Sequence, residues 1–227
     1  MSDLNHYFIN RKLTRGKLME FLNEYRTDGY TLDIGCGDQL YKELFPNSIC
    51  VDIDGNRNPD VIADVHNMNQ LWDNVFDCIL CTEVLEHCYD PWRAADEMFR
   101  VLKPNGILLV STRFVYPLHD TPQDYYRFTK YGLKHLFRNY HLLELREEAA
   151  PIETMGILYQ RLAFQTELKK PFSRLLWFFL AEFYGRKRKK LIQYGNLRHA
   201  GKPENIITSG YYMALQKPEP NGGMGTP

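Results

Sequence analysis

The stretch LDIGCGDQL, residues 32–40, sets an acid and two glycines at the end of an apolar run. Gly35 and Gly37 suit a strand-to-helix turn whose backbone must approach a ligand closely. A dinucleotide fingerprint would need a third glycine where Leu40 stands, and no G-K-S or G-K-T follows. Pyrophosphate and triphosphate ligands are therefore disfavoured. Carboxylates recur instead: Asp33 before the glycines, Asp52 within SICVDID, and Asp64 within DVIADV. An acid at the end of the second strand accepts hydrogen bonds from ribose hydroxyls, and Asp64 is placed to receive an adenine amino group. Carboxylates around a site repel phosphate and attract cations. A nucleoside cofactor with an ammonium and a sulfonium, S-adenosylmethionine, fits that charge pattern.

Two histidines compete for work on a second substrate. His87 closes TEVLEHC, where Glu83, Glu86 and His87 form E-x-x-E-H. On a helix this spacing gathers three ligands for a divalent metal; the alternative, preferred here, is a structural use with no metal. His119 lies in FVYPLHDTPQDYYRFT, a loop dense in polar and aromatic groups. It is the candidate general base for a hydroxyl acceptor; the competing reading is a loop that packs through Tyr125, Tyr126 and Arg127.

These residues need a frame. YTLDI, SICVDID, DVIADV, VFDCILCTE and GILLVSTRF read as strands with helices between them, most clearly Pro91 to Leu102. That alternation implies a parallel sheet covered on both faces. KPNG, residues 103–106, reads as a turn in which Gly106 tolerates a positive φ. An entry helix over residues 11–26 precedes the sheet. TKYGLKHLF follows as a helix, YHLLELREEA as a sixth strand, and residues 208–218 as the last. Residues 151–207 are too long for a plain loop and read as a helical insertion. The domain reading is a core with its N-terminal helix over 1–150, the insertion, the last core strand, and a disordered tail over 219–227.

The chain has 227 residues, with 28 basic against 28 acidic. That balance gives no field favouring nucleic acid. Five cysteines without a small loop-rich framework imply reduced thiols in a cytoplasmic compartment. Cys78 and Cys81 stand three apart on a strand, facing opposite sides, and so do not share a metal. The N-terminus has no apolar signal region. No run reaches the about 18 apolar residues that span a bilayer. The segment 172–190 joins aromatics and leucines to the basic run Arg186 to Lys190. It reads equally as a peripheral contact with an anionic membrane and as a core or homodimer helix with a solvated end.

LDIGCGDQLY, VDIDGN, ADVHNM, FDCILCTEVLEH and RVLKPNGILLVS, in that order, resemble the successive motifs of class I S-adenosylmethionine-dependent methyltransferases, particularly the methyltransferase type 11 group. The resemblance covers about residues 30–140. It implies a seven-stranded Rossmann-like methyltransferase sheet with helices on both faces and an antiparallel last strand, before which the helical insertion read above is set. It also implies that Asp33, Gly35, Cys36 and Gly37 line the methionine portion. Asp52 would hold the ribose, Ile53 would pack on the adenine, Asp64 and Val65 would flank the base, and Thr82 and Glu83 would lie near the sulfonium. The expected activity is methylation of a small molecule or glycan, on oxygen, with His119 as base and no metal. Two alternatives stay open. One is a metal-assisted O-methyltransferase, since some quinone-biosynthesis and small-RNA methyltransferases hold a metal with a similar E-x-x-E-H. The other is a catalytically silent, methyltransferase-like binding subunit.

Overall fold

The computed structural model describes residues 14–165, 171–186 and 207–220. Its elements run α1 (Arg15–Glu24), β1 (Thr31–Ile34), β2 (Ser48–Asp52), β3 (Val61–Ile62), β4 (Phe76–Thr82), α2 (Pro91–Val101), β5 (Leu102–Arg113), α3 (Lys130–Leu136), β6 (His141–Glu147), α4 (Pro151–Gln165), α5 (Pro171–Arg186) and β7 (Gly210–Gln216). The seven strands form one sheet in the order β3-β2-β1-β4-β5-β7-β6. β1 pairs in parallel with β2 and β4, β2 with β3, and β4 with β5. Against these β7 runs antiparallel, exchanging backbone bonds around Asn105, Gly106 and Lys217. This is the class I methyltransferase arrangement that the motif order implies.

The chain divides into two compact units. Among the described residues, the larger holds 21–113, 119–146 and 211–220 and contains almost all of the sheet. Its central strands read as continuous apolar runs because both faces are covered. β1 is buried along its whole length, as are Ile79 to Thr82 of β4. Pro91 sits in the first turn of α2, where its missing N–H costs nothing, and Asp90 caps that helix by accepting from Arg93 N. Ala94, Ala95, Met98 and Val101 form the buried face of α2.

Among the described residues, the second unit holds 14–20, 114–118, 147–165, 171–186 and 207–210. Here α4 and α5 pack as a hairpin through Tyr159 against Trp177 and Tyr184 and through Phe164 against Phe178. α5 leaves Leu176, Phe179 and Phe183 exposed. Lys187 to Lys190 of the basic run, and the residues up to 206, lie outside the described residues.

Several expectations are corrected. The strand read in DVIADV is only Val61–Ile62. Among the described residues the segments linking β1 to β4 contain turns and one 3-10 turn in place of full helices. KPNG is not a free turn, because β5 starts at Leu102 and runs through it. Asn105 takes the positive φ, 63°, while Gly106 is needed for space: a Cβ there would lie 2.7 Å from Leu102 Cδ1. One adjacency was not expected. Cys36 and Cys50 lie side by side, Cα to Cα 5.5 Å, because β2 pairs beside β1 with Cys50 opposite Asp33. Counting cysteines cannot see that adjacency. Cys78, Cys81 and Cys88 are free and buried. No helix among the described residues is long and apolar enough to cross a membrane.

Candidate functional site

β1 ends in the glycine turn. Gly35 has φ 66° and Gly37 φ 49°, the left-handed region that side chains rarely adopt. The turn also packs tightly on the segment after β4, since a Cβ on Gly35 would lie 2.4 Å from Val84 Cγ2. Gly35→Ala is therefore expected to cost more than the about 1–2 kcal/mol of a left-handed backbone. A lowered melting temperature together with lost ligand binding would show it. Asp33 precedes the turn with 4% of its surface exposed. Its Oδ1 has no hydrogen-bond partner among the described residues. Burial pushes its carboxyl up to about 7; the Asp52 charge adds to the rise and Lys42 opposes it. A buried acid with an open acceptor is costly to ionise alone and is satisfied by an incoming cation. An ammonium, which donates N–H to such an oxygen, fits this acceptor.

Asp52 and Ile53 follow β2. Asp52 Oδ1 accepts from Asp54 N at 2.9 Å, and Ile53 is 69% exposed, an apolar side chain presented to solvent. Val65 is buried, whereas the Asp64 side chain is partly exposed. Asp64 Oδ1 accepts from the backbone N of His66 at 2.9 Å and faces His66 Nδ1 at 2.5 Å. Sequence reasoning missed His66, although its place two residues after Asp64 in ADVHNM was the available signal.

β4 delivers Thr82 and Glu83. The Thr82 hydroxyl donates to the Tyr41 hydroxyl at 3.4 Å. Glu83 has φ 58°, accepts from Ser111 Oγ at 2.8 Å through Oε1, and pairs through Oε2 with Arg113. E-x-x-E-H does not lie on an α-helix: Leu85–His87 is a 3-10 turn, and Glu83 precedes it. The metal alternative is thus corrected in its ligand set. Glu83 is drawn to Arg113 and Ser111, and His119 takes its place beside Glu86 and His87, with ligand atoms of the three residues within 4.8 Å of one another.

That juxtaposition comes from the loop that folds back on the 3-10 turn. Tyr125 N and Tyr126 N both donate to the Glu86 carbonyl, and His87 Nδ1 lies 2.6 Å from the Gln123 carbonyl. Glu86 is fully buried; Oε2 accepts from Thr112 at 2.8 Å, and Oε1 has no hydrogen-bond partner among the described residues. Burial, helped by the Glu83 charge, pushes its carboxyl up to about 8 against the pull of Arg113. His119 Nε2 lies 3.9 Å from Glu86 Oε1, and Nδ1 lies 3.5 Å from Asp124 Oδ2. Asp124 also accepts from His119 N at 3.0 Å and binds Arg127 through both oxygens at 2.6 Å. The Arg127 bonds hold Asp124 down to about 2. Burial lowers the His119 pKa below its ordinary value, with Asp124 opposing the shift. The imidazole is therefore kept neutral at neutral pH, the form that accepts a proton.

Residues 32–110 match the family described as methyltransferase domain. A ubiquinone biosynthesis O-methyltransferase of Histophilus somni is 31% identical over a segment covering 38% of this chain and 45% of that protein. The match spans under half of that relative's length. A crystal structure of a SAM dependent methyltransferase from Archaeoglobus fulgidus superposes with TM-score 0.57 at 15% identity, covering 94% of this chain and 98% of that one. The [4+2]-cyclase SpnF superposes at 0.54 with 16% identity, covering 89% and 80%. At such identities the likeness concerns the fold, and the cyclase is a reminder that this fold serves more than one reaction.

Proposed function

Because residues 32–110 carry a methyltransferase domain on the class I S-adenosylmethionine-dependent fold, we propose that this protein methylates a hydroxyl oxygen of a small molecule or glycan. The observation that carries the reading is Asp33, a buried carboxyl with an open acceptor beside two left-handed glycines. In this reading Asp33 receives the cofactor's ammonium, while Gly35, Cys36 and Gly37 lie along its methionine portion. Asp52 holds the ribose, Ile53 covers one face of the adenine, and Asp64 and Val65 border it. Thr82 and Glu83 stand near the sulfonium, with the Glu83 charge offset by Arg113. When bound, S-adenosylmethionine supplies an electrophilic methyl group.

His119 then takes the acceptor's proton at Nε2, with its own proton on Nδ1 facing Asp124. Asp124 stabilises the imidazolium that results. Orientation of the acceptor supplies about 7–11 kcal/mol of barrier reduction and the base about a further 10²–10⁴-fold. Turnover of labelled S-adenosylmethionine against a panel of hydroxyl acceptors tests the reading. Binding of the cofactor without transfer to any acceptor favours the silent subunit.

One observation favours a second reading, a metal-assisted O-methyltransferase. Glu86 Oε1, buried and without a hydrogen-bond partner among the described residues, stands with His87 and His119 in a group able to hold a divalent cation. His87 Nδ1 on the Gln123 carbonyl leaves Nε2 as the ligand atom. Under the first reading, activity is expected to survive dialysis against a chelator. Loss of activity that zinc or manganese restores, with an ion about 2.0–2.2 Å from these side chains, would establish the second.

Contact of residues 172–190 with an anionic membrane surface remains part of the proposal. It is supported by the exposed Leu176, Phe179 and Phe183 of α5 and by the basic run that follows in the sequence.

A further inference from the structure

We propose that His66 is a positioning residue for the cofactor, holding Asp64 in the orientation that recognises the exocyclic amino group of an adenine. The inference rests on the reading of Asp64 given above. Asp64 needs such help because the strand before it offers little rigidity: β3 is two residues long and lies at the sheet edge. Its side chain is 36% exposed, so nothing but local bonding fixes its rotamer.

His66 provides that bonding twice. Its backbone N–H and its Nδ1 both meet Asp64 Oδ1, at 2.9 and 2.5 Å. With Oδ1 doubly engaged, Oδ2 is the oxygen left for a ligand's N–H. The imidazole is itself fixed. It is 5% exposed, Tyr89 stacks on it with ring centroids 3.9 Å apart, and its Nε2 lies 3.3 Å from Asp90 N. A backbone N–H can only donate, so Nε2 is the acceptor and Nδ1 carries the proton. One tautomer is thus selected, and it points its donor at Asp64. Asp90 also caps α2, so the chain Asp64–His66–Asp90 ties the sheet edge to the start of a core helix. An acidic oxygen held in this way accepts from an amine and repels a carbonyl. Its signature is discrimination between adenine and hypoxanthine.

The experiment is calorimetry with S-adenosylhomocysteine and with its deaminated analogue, in which a carbonyl replaces the exocyclic amine. The wild-type protein should prefer the adenine form by about 10- to 100-fold, the range expected for one hydrogen bond to a charged group. Asp64→Ala should bring that preference close to unity. His66→Phe keeps a ring against Tyr89 without the Nδ1 donor, and should lower the preference by about tenfold. His66→Asn, whose amide nitrogen replaces Nδ1, should restore most of it. The double variant Asp64→Ala/His66→Phe should lose no more than Asp64→Ala alone, as two residues acting through one contact do.

An unchanged preference in His66→Phe, with the preference lost in Asp64→Ala, overturns the role of His66 and leaves that of Asp64 standing. Equal loss in His66→Phe and His66→Asn also overturns it, by making the ring a packing element. No preference in the wild-type protein refutes the Asp64 reading itself, and the inference with it.

Discussion

Alanine at position 119 is expected to lower turnover by about 10²–10⁴-fold and to leave cofactor affinity nearly unchanged. The expectation comes from placement. His119 stands beside Glu86 and His87 on the segment that follows β4, and no cofactor-binding role falls to it. Its two ring nitrogens face carboxyl groups, and Asp124, held ionised by Arg127, stabilises the charge that appears when the ring accepts a proton. Burial holds its pKa below the ordinary histidine value despite these neighbours. The rate should therefore fall as pH drops through a value below 6.5, the ordinary value, because the protonated ring cannot act as base. Asp124→Asn should cost less than His119→Ala, since it weakens orientation and leaves the base in place. Steady-state rates across pH for the three proteins check this. Near-normal turnover of His119→Ala at neutral pH would reduce His119 to a residue that packs its loop.

Asp33→Ala is expected to weaken S-adenosylmethionine binding by about 1.5–3 kcal/mol, the range for a hydrogen bond to a charged group. Asp33 faces two charged groups, Lys42 and Asp52, but burial dominates its environment. Removing it deletes the one carboxylate in the turn whose oxygen has no hydrogen-bond partner among the described residues. The stability of the unliganded protein should not suffer equally. A buried carboxyl with a raised pKa gives no stabilising contact at neutral pH; the folded state instead gains stability as pH falls below about 7. Loss of binding with an unchanged or raised melting temperature is thus the expected pattern. Unaltered affinity would move the ammonium site elsewhere.

How much of this was legible beforehand depends on the kind of residue. Asp33, Gly35 and Gly37 were readable because a turn with close ligand approach demands particular residue types in fixed order. The covered parallel sheet followed from the alternation of apolar runs and helical patterns, and its antiparallel last strand from the family resemblance. What escaped depends on contacts distant in sequence. Nothing near Glu83 announces that Arg113, 30 residues on, will take its carboxylate and break up E-x-x-E-H. The closeness of Cys36 and Cys50 arises only once β1 and β2 lie side by side. His66 was missed for a different reason: its bond to Asp64 is local and was signalled by spacing, but its rigidity comes from Tyr89 and Asp90. Helical spacing misled at Leu85–His87, where a 3-10 turn replaced the expected helix.

The most direct test of the central claim is calorimetric titration of the intact protein with S-adenosylhomocysteine at about pH 8 and about pH 6. If Asp33 must lose its proton to receive an ammonium, binding should be strong at the higher pH. It should be about tenfold weaker per pH unit below 7, with a proton released on binding. Absence of binding at both values, or binding of a nicotinamide dinucleotide instead, would contradict the account.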